Sequence, residues 1–223
     1  MKKDFSSESG PVIEFPLRGE WGYMRAPGHH PFAFDFMGRA EGQRGYFPGS
    51  KLRYFINLVQ SEEWFGWSRP VFAPCDGVVV QAQDGWQDRK SLNFFKEFFS
   101  AYLRSFLFRP KSENGKIDFR PNAGNHVVIQ SPKGFAVLMA HLKMGSIAVS
   151  LGQHVRIGAK IGEVGNSGNT TAPHLHINLF DQGDNLLKAK VIPFYFRHFE
   201  KWNGSIWEKI HNSLPQNRQR IRL

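Results

Sequence analysis

From Leu175 to Leu179 apolar and polar residues alternate one for one. Leu175, Ile177 and Leu179 are separated by His176 and Asn178, and His174 stands just before. A period of two is that of a β-strand, whose successive side chains point to opposite faces. The alternation predicts a half-buried strand with one apolar face, and with His174, His176 and Asn178 sharing the other. Pro173 stands where such a strand begins, a position that tolerates a missing N–H. From Val12 onward most of the chain has this texture, short apolar runs broken by turn residues. A strand is predicted from Phe32 to Phe36, ended by Gly38. Val78, Val79 and Val80 follow an Asp76-Gly77 turn. "NHVVIQ" and "FAVLMAHL" read as neighbouring strands joined at "SPKG", and "VIPFYFRHFEKW" adds one more. The layout is that of a mostly β fold, an antiparallel β-sheet or sandwich.

One segment breaks the pattern. In "SLNFFKEFFSAYLRSFLF" the apolar residues Leu92, Phe95, Phe98, Phe99, Tyr102 and Phe106 recur at helical spacing, with Lys96, Glu97, Ser100 and Arg104 on the other side. The segment predicts an inserted amphipathic α-helix ended by Pro110. Packing of its apolar face on the body of the domain is the expected arrangement. A dimer contact, a lid or a membrane-surface helix are the alternatives. The stretch "LRYFINLVQSEEWFGW" is aromatic and fits helix and strand alike.

The 223 residues suffice for a single well-buried domain. The expected organisation is a polar lead over 1–11, one domain over 12–200 with insertions at about 39–68 and 86–123, and a basic extension over 201–223. No apolar run approaches the roughly 20 residues of a transmembrane helix. The opening "MKKDFSSESGPVIEFPL" has no apolar core of a signal peptide. The single cysteine, Cys75, excludes an internal disulfide and a cysteine-rich zinc cluster. It reads as a small packed residue rather than a nucleophile. Any metal would need imidazole and carboxylate ligands. The net charge of +10 points to an anionic partner. No recognition helix or stacking platform accompanies it, so nucleic acid is not the expected partner.

Nine histidines are present. In "HHPFAFDF" a carboxylate, Asp35, sits among phenylalanines, which is costly unless it is paired or bound to a cation. A salt bridge to arginine is the plain alternative. His141 closes the apolar run "AVLMAHL", where on its own it reads as a satisfied core residue. His126 in "GNHVVIQ" reads as an exposed strand residue. His154, His198 and His211 lie in polar or basic contexts and receive no role. A carboxylate with several imidazoles is the donor type of catalytic zinc, which keeps an open position beside three protein ligands.

Taken in order, these segments resemble the lysostaphin-type (LytM-like) zinc metalloendopeptidases, which have the duplicated hybrid motif fold. The resemblance runs from about Gly28 to Asp181, interrupted at the two insertions. "HPFAFDF" resembles the first metal motif, "RPVFAPCDGVVVQAQDG" the approach to the first hairpin and "GNHVVIQ" the central strand. "AHL" is similar to the isolated catalytic histidine segment, and "VRIGAKIGEVGNSGNTTAPHLHINL" to the closing signature. The resemblance implies one Zn2+ per chain on His30, Asp35 and His176. His29 is the second candidate in the first motif, and His30 is preferred as the nearer to Asp35. It implies that His141 and His174 act on the water and on the tetrahedral oxyanion. It further implies cleavage of peptidoglycan peptides, in stems or cross-bridges, and an extracytoplasmic location, with anionic cell-wall polymers as further partners. A non-catalytic binding or regulatory module of the same fold is the alternative. The rhythm of "GQHVRIGAKIGEVG" also resembles lipoyl or biotinyl carriers, which would leave Asp35, His174 and His176 without a purpose.

Overall fold

A computed structural model of the chain describes residues 10–26, 29–43, 45–56, 58–107, 111–113 and 116–223. Most of the expected polar lead, and Pro110 at the expected helix end, lie outside these residues.

The fold is mostly β. Its centre is a twelve-stranded sheet. The strands that matter for the site are β1 (Glu20–Met24), β2 (Ala33–Gly38), β3 (Gly77–Gln83), β4 (Asn125–Gln130), β5 (Ala136–Leu142) and β6 (Leu175–Phe180). Across the sheet they run β1-β2-β6-β5-β4-β3. Every pairing in this run is antiparallel. A parallel pairing joins Val12–Ile13 to Tyr195–Phe196 at the far end of the sheet. The strands expected around Phe34, Val79, Val128, Leu138 and Ile177 all form.

The period-two pattern decides what each face buries. Phe34 and Phe36 of β2, Val137 and Met139 of β5, and Leu175, Ile177 and Leu179 of β6 enter the main core. A small ladder of Pro70–Phe72 with Lys160–Glu163 brings Val71 and Ile161 into the same core. The surplus of phenylalanine is used here. Phe15, Phe34, Phe36, Phe194 and Phe196 interlock with ring centroids 4.9–6.2 Å apart, mostly edge to face.

The C-terminal residues extend the sheet. β7 (Tyr195–Trp202) pairs with both β8 (Trp207–Ser213) and β9 (Arg220–Arg222), and β9 pairs with β1. Ile221 is fully buried. The stretch expected as a basic extension over 201–223 is thus woven into the sheet. Its arginines hide this in the sequence. Arg220 pairs with Glu20 and Arg222 with Glu200, which lets the charged strand lie in an interior row.

The two insertions pack on each other. The ambiguous aromatic stretch forms α1 (Leu52–Ile56) and a short 3-10 turn, Ser61–Glu63. Val59–Gln60 pairs with Ser91–Leu92 of the second insertion. Phe47, Val59, Trp64 and Leu92 make a separate small core with Met37 and Ala172. A Cβ on Gly38 would lie 2.2 Å from Gly66, so the first insertion crosses β2 where only glycine fits.

The inserted helix forms as α2 (Phe94–Leu107), but with its faces exchanged. Phe95, Phe98, Phe99, Tyr102, Leu103 and Leu107 are exposed, while Glu97 is buried. Packing of the apolar face on the body is therefore not what the structure shows. The cause is Arg89, whose guanidinium meets Glu97 at 2.8 Å and draws the polar side inward.

Candidate metal centre

The sheet register builds the site. On β6, His176 lies directly opposite Asp35 of β2 on one side and Ala140 of β5 on the other. Cross-strand neighbours are close enough for side chains to touch. His176 Nδ1 hydrogen-bonds Asp35 Oδ1 at 2.7 Å, and His174 Nε2 stands 3.4 Å from the same oxygen. Asp35, the one polar side chain of β2, thus meets the polar face of β6 in step.

His141 reaches the site through a departure from the period of two. Val137 and Met139 face the main core, so regular alternation would bury His141 beside them. Instead Leu142 faces that core. The shift occurs at His141, whose φ is +61°, and where the pairing of β4 with β5 slips between Asn125 and Val127. A left-handed non-glycine residue within a strand is strained and needs support. Support comes from Ser167 O, 2.8 Å from the ring Nδ1, and from Gly165 N, which donates to His141 O at 3.0 Å. The ring then lies 4.7 Å from that of His174 and 5.8 Å from that of His176, centroid to centroid. It is not the core histidine that its run suggested.

The turn-rich segment before β6 holds the rings. His174 Nδ1 is 2.8 Å from Ala172 O and 2.9 Å from Thr170 Oγ1. Thr170 Oγ1 itself donates to Ala172 O. A carbonyl can only accept, so Nδ1 of both His141 and His174 carries the proton. That leaves Nε2 of each as the lone-pair atom offered to the cluster. Gly168 in this segment has a φ of +77°, and a Cβ there would meet Gly124 N at 2.3 Å.

The two adjacent histidines of the first motif separate. His29 Nδ1 lies 3.0 Å from Asp35 Oδ2, and its ring stands edge-on to His176. His30 points to solvent. Its Nδ1 accepts from Phe32 N and its carbonyl from Ala33 N, a turn that swings the ring outward. The structure therefore gathers Asp35, His141, His174 and His176, as expected, and brings His29 rather than His30 to Asp35. Thr170 and Ser167, which orient the histidines, lie in turn chemistry, where no sequence signal separates them from other turn residues.

Electrostatics favour a cation. Burial alone would raise the Asp35 carboxyl, but His174, His176 and His29 around it hold it well below its ordinary range. The Asp35 hydrogen bond raises His29 despite burial. Burial lowers His141 well below its ordinary value, helped by His174 and His176. Donor atoms of His29, Asp35 and His176 lie within 4.8 Å of one another, as do those of His141, His174 and His176. His126, expected at the surface, is buried with Nδ1 2.8 Å from Gly124 O. His154, His198 and His211 are exposed.

A mostly β scaffold that offers one ionised carboxylate and converging imidazoles on a sheet face defines a protein with a candidate N/O metal site. Comparison with known proteins narrows the class. Residues 112–187, about a third of the chain, match the profile of Peptidase family M23. The matched segment contains His141, His174 and His176. His29 and Asp35 precede it. Peptidoglycan DD-endopeptidase ShyA of Vibrio cholerae is 42% identical over 73 residues, which are 32% of this chain and 16% of that protein. An uncharacterized metalloprotease of Buchnera aphidicola is 39% identical over 62 residues, 28% of this chain and 16% of its own length. The matches thus span about a sixth of these relatives. Among solved structures, the catalytic domain of lysostaphin from Staphylococcus simulans aligns over 78% of this chain and 88% of that one, with 20% identity and a TM-score of 0.41.

Proposed function

We propose that the protein is a zinc-dependent endopeptidase that hydrolyses peptide bonds of bacterial peptidoglycan outside the cytoplasmic membrane. The observation that carries this reading is the convergence of Asp35 with His29, His174 and His176 on one sheet face, with His141 beside them. The family match and the partial likeness to a peptidoglycan endopeptidase support it. His29, Asp35 and His176 are the ligands we assign to zinc, two imidazoles and a carboxylate that leave one position open. When bound, zinc supplies a water that ionises near neutral pH and a Lewis acid for the scissile carbonyl.

The other two histidines do the proton work. Both hold Nδ1–H on a backbone carbonyl and offer Nε2 to the cluster. Burial keeps His141 neutral and ready to accept the proton of the attacking water. His174, nearer Asp35, donates a hydrogen bond to the oxygen on which charge develops once its Nε2 has taken up a proton. A proton taken up at Nε2 is returned to the leaving amine.

Elemental mass spectrometry of the purified protein and single variants tests this. Stoichiometric zinc is expected in the wild type and in His30→Ala, and loss of zinc in His29→Ala and His176→Ala. His141→Ala and His174→Ala should keep zinc while hydrolysis of purified peptidoglycan falls roughly 10²–10⁴-fold. A wild type that takes up no zinc at neutral pH, or holds it without hydrolysis, would leave the non-catalytic binding module in its place.

A further inference from the structure

The apolar face of α2 lacks a partner within the described residues. Phe95, Phe99 and Tyr102 are each about two-thirds exposed, at 64%, 68% and 68%. α1 continues the patch. Phe55 lies tilted against Phe94 with ring centroids 4.9 Å apart, while Leu52, Ile56 and Leu58 stay exposed. Contiguous apolar surface of this kind marks a contact site. The helix cannot roll to hide it. Glu97 is buried against Arg89, Arg104 donates to Gly168 O, and Asn169 donates to Ala101 O. The polar edge is thus fastened to the body, and the apolar edge is directed away from it.

Beside the apolar face runs a ridge of positive charge. Arg89, Lys90, Lys96 and Arg104, with Ser91, Ser100 and Glu97, line a cavity of about 330 Å³. Its one carboxylate is already engaged by Arg89. The hydroxyls and cations suit a phosphate oxygen.

We infer that α1 and α2 form a docking surface for the face of an anionic phospholipid bilayer. The aromatic face enters the boundary between headgroups and acyl chains, and the adjoining cavity receives a headgroup phosphate. An amphipathic helix with Phe and Leu on one face and cations along its edge lies in the membrane plane in this way. Charge selects this occupant over a second copy of the chain. Each copy carries a net +10, and a symmetric contact would set the same cationic ridges close together. A bilayer of anionic lipids attracts them. The same helix holds Gly168, in the turn that orients His141 and His174, so docking would set the candidate centre at a fixed place relative to the membrane.

Co-sedimentation of the full chain with vesicles tests this independently of any peptidase activity. Binding is expected with mixed phosphatidylcholine–phosphatidylglycerol vesicles and should be weak with phosphatidylcholine alone. Phe95→Ser with Phe99→Ser, both at exposed positions, should weaken it at least roughly tenfold. Lys90→Glu with Lys96→Glu should do the same, with unchanged circular dichroism in both variants. Excess inorganic phosphate that abolishes binding would show a small-anion site and overturn the bilayer assignment. So would binding that ignores the phenylalanine substitutions, or no binding at all. A dimer in lipid-free solution that the same substitutions dissociate would give the surface to a second copy.

Discussion

His141 is held in a left-handed backbone at the end of a strand, and its ring is buried among other imidazoles. Protonation there is opposed by burial and by His174 and His176. The consequence for stability has a definite sign. The unfolded chain titrates this residue near 6.5, the folded protein well below it. Between the two values the unfolded state binds more protons, so His141 stabilises the fold above pH 6.5, and that stability is lost as pH falls toward the folded value. His29 acts in the opposite sense. Its raised value gives stability that is present below pH 6.5 and lost as pH rises through the folded value. Below pH 6.5 the His29 contribution is already fully present, so His141 sets the direction there. Metal-free protein should therefore lose up to about 1.4 kcal/mol per pH unit on acidification below 6.5, measured by urea unfolding in the presence of chelator. His141→Gln should flatten that dependence. An unchanged slope in the variant would mean that the acid sensitivity arises elsewhere.

The sequence was least informative at the scale of the single side chain. Histidines and a lone carboxylate were visible, and Asp35, His141, His174 and His176 do come together. The choice between His29 and His30 was not visible, because sequence distance to Asp35 favoured the nearer ring. A local turn, with Phe32 N bonded to His30 Nδ1, reverses that preference. The geometry of His141 was equally hidden, since it depends on a slip in its pairing with β4, between Asn125 and Val127.

Helix α2 shows how an element can be read correctly and oriented wrongly. Its 3.6-residue period identified it, and the helix spans Phe94–Leu107. Amphipathicity gives two faces but does not say which one turns inward. Arg89 decided that, through a charge pair with Glu97 that also joins Arg89 to Asn166 O and Gly168 O, each at 2.7 Å. Removal of one partner from a buried pair leaves an uncompensated charge. Glu97→Ala should cost roughly 3–5 kcal/mol in urea denaturation. It should also reduce peptidoglycan hydrolysis, because the 166–168 turn supports His141. Hydrolysis at the wild-type level in a folded variant would separate the helix from the centre.

At the scale of the molecule, the C-terminal residues are part of the main sheet. Ile221 lies fully buried in β9, between β1 and β7. Ile221→Ala should lower stability by about 2–5 kcal/mol, as large-to-small changes in a packed core do. A surface extension would tolerate the same change with almost no effect. Calorimetric unfolding of the two proteins distinguishes these outcomes.

The sequence alone determined the local periods. They gave a mostly β chain, the positions of the strands that carry Phe34, Val79, Val128, Leu138 and Ile177, one amphipathic helix, and a set of imidazoles with one carboxylate that signals metal chemistry. These follow from hydrophobic alternation and residue type, which are properties of short segments. Tertiary structure decided which histidine meets Asp35, which face of α2 is hidden, and that the basic C-terminal residues complete the sheet. Each of those depends on partners distant in sequence: a strand register, the Arg89–Glu97 pair, and the ion pairs of Arg220 and Arg222. A local pattern fixes what a segment can present, and the free energy of long-range contacts selects what it does present.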